Sequence, residues 1–170
     1  MSDNNAVIRA EHLNIDYRLN KRWLNVVHDV SLAIDPLEIH GLVGESGSGK
    51  STLALALMNY LAANARVSSG QVLLDGENLL AKSPAEMRRI WGRQISLVPQ
   101  DALASLNPSY TIGDQIAEIT RLHHGLSRAE AASKAVEMLR QVKIADPEVV
   151  ARRYPHQLSG GMQQRVTIAM

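Results

Sequence analysis

The sequence predicts an α/β protein with an antiparallel β-subdomain at its N-terminus, a strand–loop–helix core and an inserted α-helical subdomain. Three observations carry this expectation. The first 35 residues hold two runs with β-branched residues in rough alternation, "VIRAEHLNIDYRL" and "LNVVHDVSLAI". A short apolar run, "EIHGLVG", then leads through a glycine-rich loop into an alanine- and leucine-rich stretch. From Ile112 to Val150 the pattern is helical only, which reads as an insertion among alternating strands and helices.

Each element follows from local chemistry. Asn20 to Arg22 form a basic turn between the first two strands. "EIHGLVG" has the look of a buried strand feeding a loop, and the helix after it runs from Lys50 to about Ala63. "GQVLLDGENLL" predicts a strand closed by a tight Asp75-Gly76 turn. Ser83 is placed to cap a helix that has Pro84 at its first position. "QISLVPQ" is a further short strand candidate, which Pro99 stops. The helical stretch breaks at Gly125-Leu126-Ser127 and again at Asp146-Pro147.

Composition removes several classes of function. A chain of 170 residues with 45% apolar and 21% charged residues is ordinary for a globular domain. Its net charge of +1, with basic residues scattered, gives no general attraction to nucleic acid or anionic lipid. The absence of cysteine excludes disulfides and thiolate metal sites. "MSDNNAVIRAEHL" shows no secretory leader. "STLALALMNYLAANA" is too short and too polar to span a bilayer. Work at a membrane would need another subunit.

"GESGSGKST", Gly44 to Thr52, has the G-x-x-x-x-G-K-[ST] pattern of a phosphate loop, between an apolar run and a helix. Gly44, Gly47 and Gly49 permit backbone shapes that a Cβ would block. The amides of Glu45, Ser46 and Ser48 can then turn inward around a β-phosphate at a helix start. Lys50 supplies a cation for the β- and γ-phosphates, and the Ser51 hydroxyl is placed for Mg²⁺, with Thr52 following. The expected ligands are ATP and Mg²⁺.

A second glycine-tipped helix begins in "LSGGMQQR", Leu158 to Arg165. Ser159 can cap it, and Gly160-Gly161 leave its first amides open. The octet closely resembles the signature motif of the ATP-binding cassette (ABC) ATPases, and "GESGSGKST" resembles their phosphate loop. Gln100, at the end of "QISLVPQ", matches their Q-loop glutamine. The likeness runs from Val7 to Met170 and implies a P-loop NTPase (RecA-like) core. It divides the chain into a β-subdomain and core at 1–100, a helical subdomain at 101–158 and a signature helix start at 159–170.

The resemblance implies a head-to-tail pair of cassettes, identical or paralogous. Ser159, Gly160, Gly161, Met162 and Gln163 would meet the ATP held by the partner's phosphate loop. Gln100 would sense Mg²⁺ or the attacking water, and Tyr17 would stack on adenine, with Trp23 the weaker candidate. The helical insertion would face transmembrane permease subunits at the cytoplasmic side of the inner or plasma membrane. "QDALASLNPSYTIGDQIAE" and "RYPHQLSGGMQQRVTIAM" resemble the oligopeptide, dipeptide and nickel importer branch, with "SLNP" weighing most. A soluble non-transport cassette and a truncated nucleotide-binding product are the alternatives. No nucleic-acid partner is expected.

Departures from the family pattern matter as well. An apolar strand ending in Asp-Glu (the Walker B motif) should follow the signature helix, and a switch histidine should come later. Neither can be located in these 170 residues. The resemblance therefore implies a cassette whose C-terminal part of the core is missing, unable to hydrolyse ATP by itself. It also leaves "EIHGLVG" as an unpaired apolar edge. Asp101, His123 and His124 are expected to take no catalytic role, and His40 is expected to be packed or hydrogen-bonded.

Overall fold

Asn20 and Lys21 both adopt left-handed backbone, with φ of 47° and 67°. A tight hairpin needs this at its two central positions. They join β1, Ile8–Leu19, to β2, Arg22–Ile34. The computed structural model describes residues 6–170; the first five, part of the stretch read for a leader, lie outside the described residues. β3, Ala65–Leu74, pairs antiparallel with the other side of β1. The Asp75-Gly76 turn returns the chain into β4, Glu77–Asn78, and the sheet order is β2-β1-β3-β4.

Bulges on neighbouring strands kink this sheet at one level. His12 on β1 and Asp29 on β2 take φ of 48° and 46°, and Gly70 on β3 takes 92°. The register of β1 slips beside them, between Ala10 and Leu13 against β2 and between Glu11 and Asn14 against β3. His12 Nδ1 lies 2.8 Å from Asp29 Oδ1, and the Asn14 amide oxygen accepts from Asp29 N–H at 3.0 Å. A Cβ on Gly70 would sit 2.5 Å from the carbonyl oxygens of Glu11 and His12. Only glycine fits there.

One face of the sheet builds the core of the first unit, which ends at Ile95. Leu13, Ile15 and Val72 pack with Leu53 and Ala56 of α1 (Lys50–Leu57) and with Met87 and Ile90 of α2 (Pro84–Ile90). α2 starts in a capping box, in which Ser83 and Glu86 each bond the other's backbone N–H. Trp91 ties the two helices together: its indole N–H donates to Met58 O at 2.8 Å, and its ring meets Tyr60 edge-on. On β1, Asp16 Oδ1 accepts from Asn25 at 2.8 Å and Ser68 at 3.0 Å, while Oδ2 accepts from Arg66 at 3.2 Å.

The second unit runs from Ser96 to Met170 and is helical. It comprises α3 (Ala102–Ser105), α4 (Ile112–His124), α5 (Arg128–Gln141), α6 (Pro147–Val150) and α7 (Gly160–Ala169). Gly125 ends α4 in the left-handed conformation, and a Ser127–Glu130 capping box starts α5. Ile112, Ile116, Leu139, Val150, Leu158 and Val166 form its core. The first amides of α4 are taken by carbonyls of the chain itself, Ile112 N–H by Arg153 O and Gly113 N–H by Ala151 O.

Three expectations need correction. "EIHGLVG" and "QISLVPQ" do not form strands; the latter keeps a single bridge, Trp91 to Ile95. A strand requires a ladder of backbone partners, and among the described residues neither run has one beyond that bridge. Ile39 and Val43 are 98% and 93% exposed as a result. The first helix stops at Leu57 rather than near Ala63, because Asn59 turns left-handed (φ 50°) and donates its side-chain amide to Leu79 O.

Two tests of this fold follow from the geometry. Gly70→Ala is expected to lower stability by about 2–4 kcal/mol, read as a fall in the urea midpoint. The second concerns acid. Hydrogen bonds from Asn25 above all, then Ser68 and Arg66, hold the Asp16 carboxyl below its ordinary range. The Ser83 and Ser127 caps do the same for Glu86 and Glu130. A carboxyl depressed in the fold adds stability above its unfolded value, near pH 4, and loses it as pH falls through the folded value. The urea midpoint should therefore drop below about pH 4, and by less in Asp16→Asn.

Candidate functional site

The loop before α1 is shaped by backbone rather than by side chains. Gly47 and Gly49 take φ of 81° and 91°, which other residues adopt only under strain. Gly49 occupies the N-cap position of α1 without any side-chain cap, and the helix has no acidic residue in its first turn. Its early amides are thus left for another acceptor. A Cβ on Gly49 would lie 3.3 Å from Val27 Cγ2, so the loop rests directly on β2. A Cβ on Gly44 would lie 2.8 Å from Ser48 Oγ.

Lys50 closes the loop on itself. Its ammonium donates to Gly44 O at 2.8 Å, Glu45 O at 2.6 Å and Ser48 Oγ at 3.4 Å. A cation is therefore held between both ends of the loop, where it adds to the positive end of the helix dipole. Ser51 is exposed on the first turn of α1, and Thr52 is half-buried beside it. Beside the loop lies a cavity of about 470 Å³, with Val26, Val27 and Val30 on one wall and Lys50, Ser48 and Gly44 on the other.

Tyr17 stands on the central strand of the sheet, opposite Leu24 and Ala65, and packs half-buried against the core. It is not among the residues that line this cavity. The Trp23 ring is covered by the Arg66 guanidinium, 4.1 Å from its centroid. Gln100 is exposed and belongs to the second unit, whose first residue is Ser96. Asp101 is engaged as the N-cap of α3, accepting from Ala104 N–H at 3.1 Å. His40 lies 3.3 Å from Glu38 Oε1, and His124 is exposed on the last turn of α4.

The second helix start is of another kind. Ser159 caps α7 by accepting from Met162 N–H at 3.4 Å, and no acidic residue lies in the first turn. Gly160 and Gly161 are exposed, and a Cβ built on either would meet nothing within 4 Å. Neither has a positive φ. Nothing inside the chain therefore asks for glycine at these two positions, although glycine costs up to about 1 kcal/mol in a helix. The bare surface faces outward.

Three features were missed in the sequence. Gln163, expected to reach a partner's nucleotide, is buried, and its amide donates inward to Pro155 O at 3.0 Å and Leu158 O at 3.3 Å. Met162 likewise packs against the core of the second unit. Arg165 donates to Lys143 O at 2.8 Å, capping the C-terminus of α5. Gln115, buried in α4, bonds Asn107 and Tyr110 and so fixes the turn containing "SLNP". Polar residues at core-facing helix positions were the available signal.

A sequence model of the ABC transporter family matches residues 27–170. The chain belongs to that family. It is 45% identical over 174 residues to the glutathione import ATP-binding protein GsiA of Salmonella paratyphi A, covering 99% of this chain and 28% of that protein. It is 44% identical over 165 residues to a "Putative peptide import ATP-binding protein" of Brucella abortus, covering 96% of this chain and 49% of that protein. The chain thus spans about half of one relative's length and under a third of the other's.

Solved ABC cassettes share the fold. The dimeric ATP-binding cassette MJ0796, in a post-hydrolysis state bound to ADP and Pi, superposes with a TM-score of 0.80 at 25% identity. That match covers 95% of this chain and 67% of the cassette. For cbiO1 of Clostridium perfringens, part of the ABC transporter complex cbiONQ, the TM-score is 0.75 at 23% identity, over 97% of this chain and 60% of that one.

The loop geometry yields one direct test. Gly49→Ala forces a Cβ toward Val27 and a left-handed alanine, so ATP affinity should fall about tenfold, measured by titration calorimetry.

Proposed function

We propose that this chain is the nucleotide-binding part of an ABC importer subunit, which couples ATP binding and hydrolysis to the uptake of peptides or similar small solutes. The observation that carries the reading is the pair of glycines at the start of α7, whose bare outward surface answers no need inside the chain. An approaching phosphate explains it. In this reading Ser159 and the Gly161 amide meet the γ-phosphate of an ATP bound to a second cassette, while this chain's own ATP sits in Gly44–Thr52. The glutathione- and peptide-import relatives support transport, and the ADP-bound cassette dimer supports pairing.

Each residue then has a physical task. Lys50 exchanges its bonds to Gly44 and Glu45 carbonyls for phosphate oxygens. Backbone amides from Glu45 to Ser51 neutralise the β-phosphate at the helix start. Mg²⁺ would be held by the Ser51 hydroxyl alongside phosphate oxygens and water. Among the described residues no cluster of three or more His, Cys, Asp or Glu exists to hold an ion alone. That suits Mg²⁺, which binds through few protein ligands and substrate phosphates. Tyr17 is the candidate for adenine.

The partners in this reading are transmembrane permease subunits, at the cytoplasmic face of the membrane, and a second cassette. No helix among the described residues is long and apolar enough to cross a bilayer. Neither Asp101, tied to its cap, nor the histidines offers a base for water attack. By itself the 170-residue chain is therefore expected to bind ATP without turning it over.

Three measurements check this. Lys50→Ala should weaken ATP binding at least about tenfold, since a hydrogen bond to a charged group contributes about 1.5–3 kcal/mol; unchanged affinity would sink the assignment. Phosphate release by the isolated 170 residues should stay at the buffer rate. Gly161→Ala should raise stability by about 0.4–1 kcal/mol while weakening nucleotide-driven pairing, a sign opposite to that of a structural glycine.

A further inference from the structure

We infer that Gln163 is a positioning residue that turns the Ser159 amide outward at the start of α7 and so presents the phosphate-binding end of that helix. The inference rests on the reading that this helix end meets a triphosphate. Gln163 lies on the inner side of the helix, 8% exposed. Its side-chain amide donates to two carbonyls of the preceding segment, Pro155 O at 3.0 Å and Leu158 O at 3.3 Å. Its own backbone N–H bonds Ser159 O at 2.9 Å, as the helix requires.

The consequence follows from the planarity of the peptide bond. Leu158 C=O and Ser159 N–H belong to one peptide unit and point in opposite directions across it. With the Leu158 carbonyl drawn inward by Gln163, the Ser159 N–H is directed away from the core. Pro155 and the Leu158 side chain are buried, and Leu158 N–H closes a tight turn onto Pro155 O at 3.1 Å. Pro155 O thus already has one donor; Gln163 adds a second bond to it and supplies the donor to the Leu158 carbonyl. An apolar residue of similar length would pack equally well but leave the Leu158 carbonyl without this donor, which favours rotation of the Leu158–Ser159 peptide.

The position asks for a donor. A leucine or methionine would be the ordinary choice on a core-facing side, as at Val166 and Ala169 on the same helix. Met162, one residue earlier, already fills apolar space. The amide of Gln163 thus serves the loop, and through the loop the three outward-facing residues Ser159, Gly160 and Gly161.

The test uses the full chain with Mg²⁺ and adenylyl imidodiphosphate. Gln163→Met removes both donors, and Gln163→Glu keeps the shape while substituting an acceptor. Nucleotide binding at the chain's own loop is measured by titration, pairing by sedimentation, and amide exchange across residues 158–161 by mass spectrometry. Both variants are expected to weaken pairing by about tenfold or more, with loop affinity within about twofold of wild type and faster exchange at 158–161. Wild-type pairing in Gln163→Met would overturn the inference. So would parallel loss of pairing and loop binding, which would mark general damage to the fold. Gly161→Ala serves as the separate control. If it pairs like wild type, the triphosphate reading of this helix end fails, whereas accelerated exchange in Gln163→Met still reports the anchoring itself.

Discussion

The backbone amides at the start of every helix need acceptors, and how each is supplied organises this protein. At α2 and α5 a serine and a glutamate close the end. At α4 the Thr111 hydroxyl takes the Asp114 N–H, and carbonyls of Ala151 and Arg153 take the two before it. α1 has no side-chain cap and α7 has a lone serine, and neither carries an acidic residue in its first turn. These two ends begin with glycines. An anion gains from the helix dipole and the free amides at such ends, and no carboxylate in the first turn repels it.

In the proposed reading, the two open ends are built differently because they would hold phosphate differently. At α1 the glycines are conformational: Gly47 and Gly49 need positive φ, and Lys50 brings a full charge. At α7 they are merely bare, and no cation sits in the first turn. The first end offers amides and a full charge, the second only amides and one hydroxyl, so under the proposed function the second would depend on a ligand already held elsewhere. That asymmetry fits a nucleotide shared between two cassettes.

Elements settled by short-range chemistry were legible in the sequence. The Asn20–Lys21 and Asp75–Gly76 turns, the Ser83 and Ser159 caps and the breaks at Gly125 and Asp146 each depend on residues within one turn. What failed depended on partners distant in the chain. The runs 38–44 and 94–99 have strand composition, but composition cannot provide a neighbouring strand. The matched bulges at His12, Asp29 and Gly70 need three strands in register before any of them makes sense. The inward direction of the Gln163 side chain was not legible, because a motif names residues without saying which way a side chain points.

The exposed apolar run therefore bears on the site. Leu37, Ile39 and Val43 are 105%, 98% and 93% exposed. Covering each with a paired strand would contribute about 1.5–3 kcal/mol. The run ends at Gly44, where the phosphate loop begins, and Lys50 holds Gly44 and Glu45 from the other side. Residues 38–43 lead directly into the Gly44 and Glu45 carbonyls that Lys50 now occupies. Loop geometry is set by both ends, and the glycines between them supply the freedom to accommodate either.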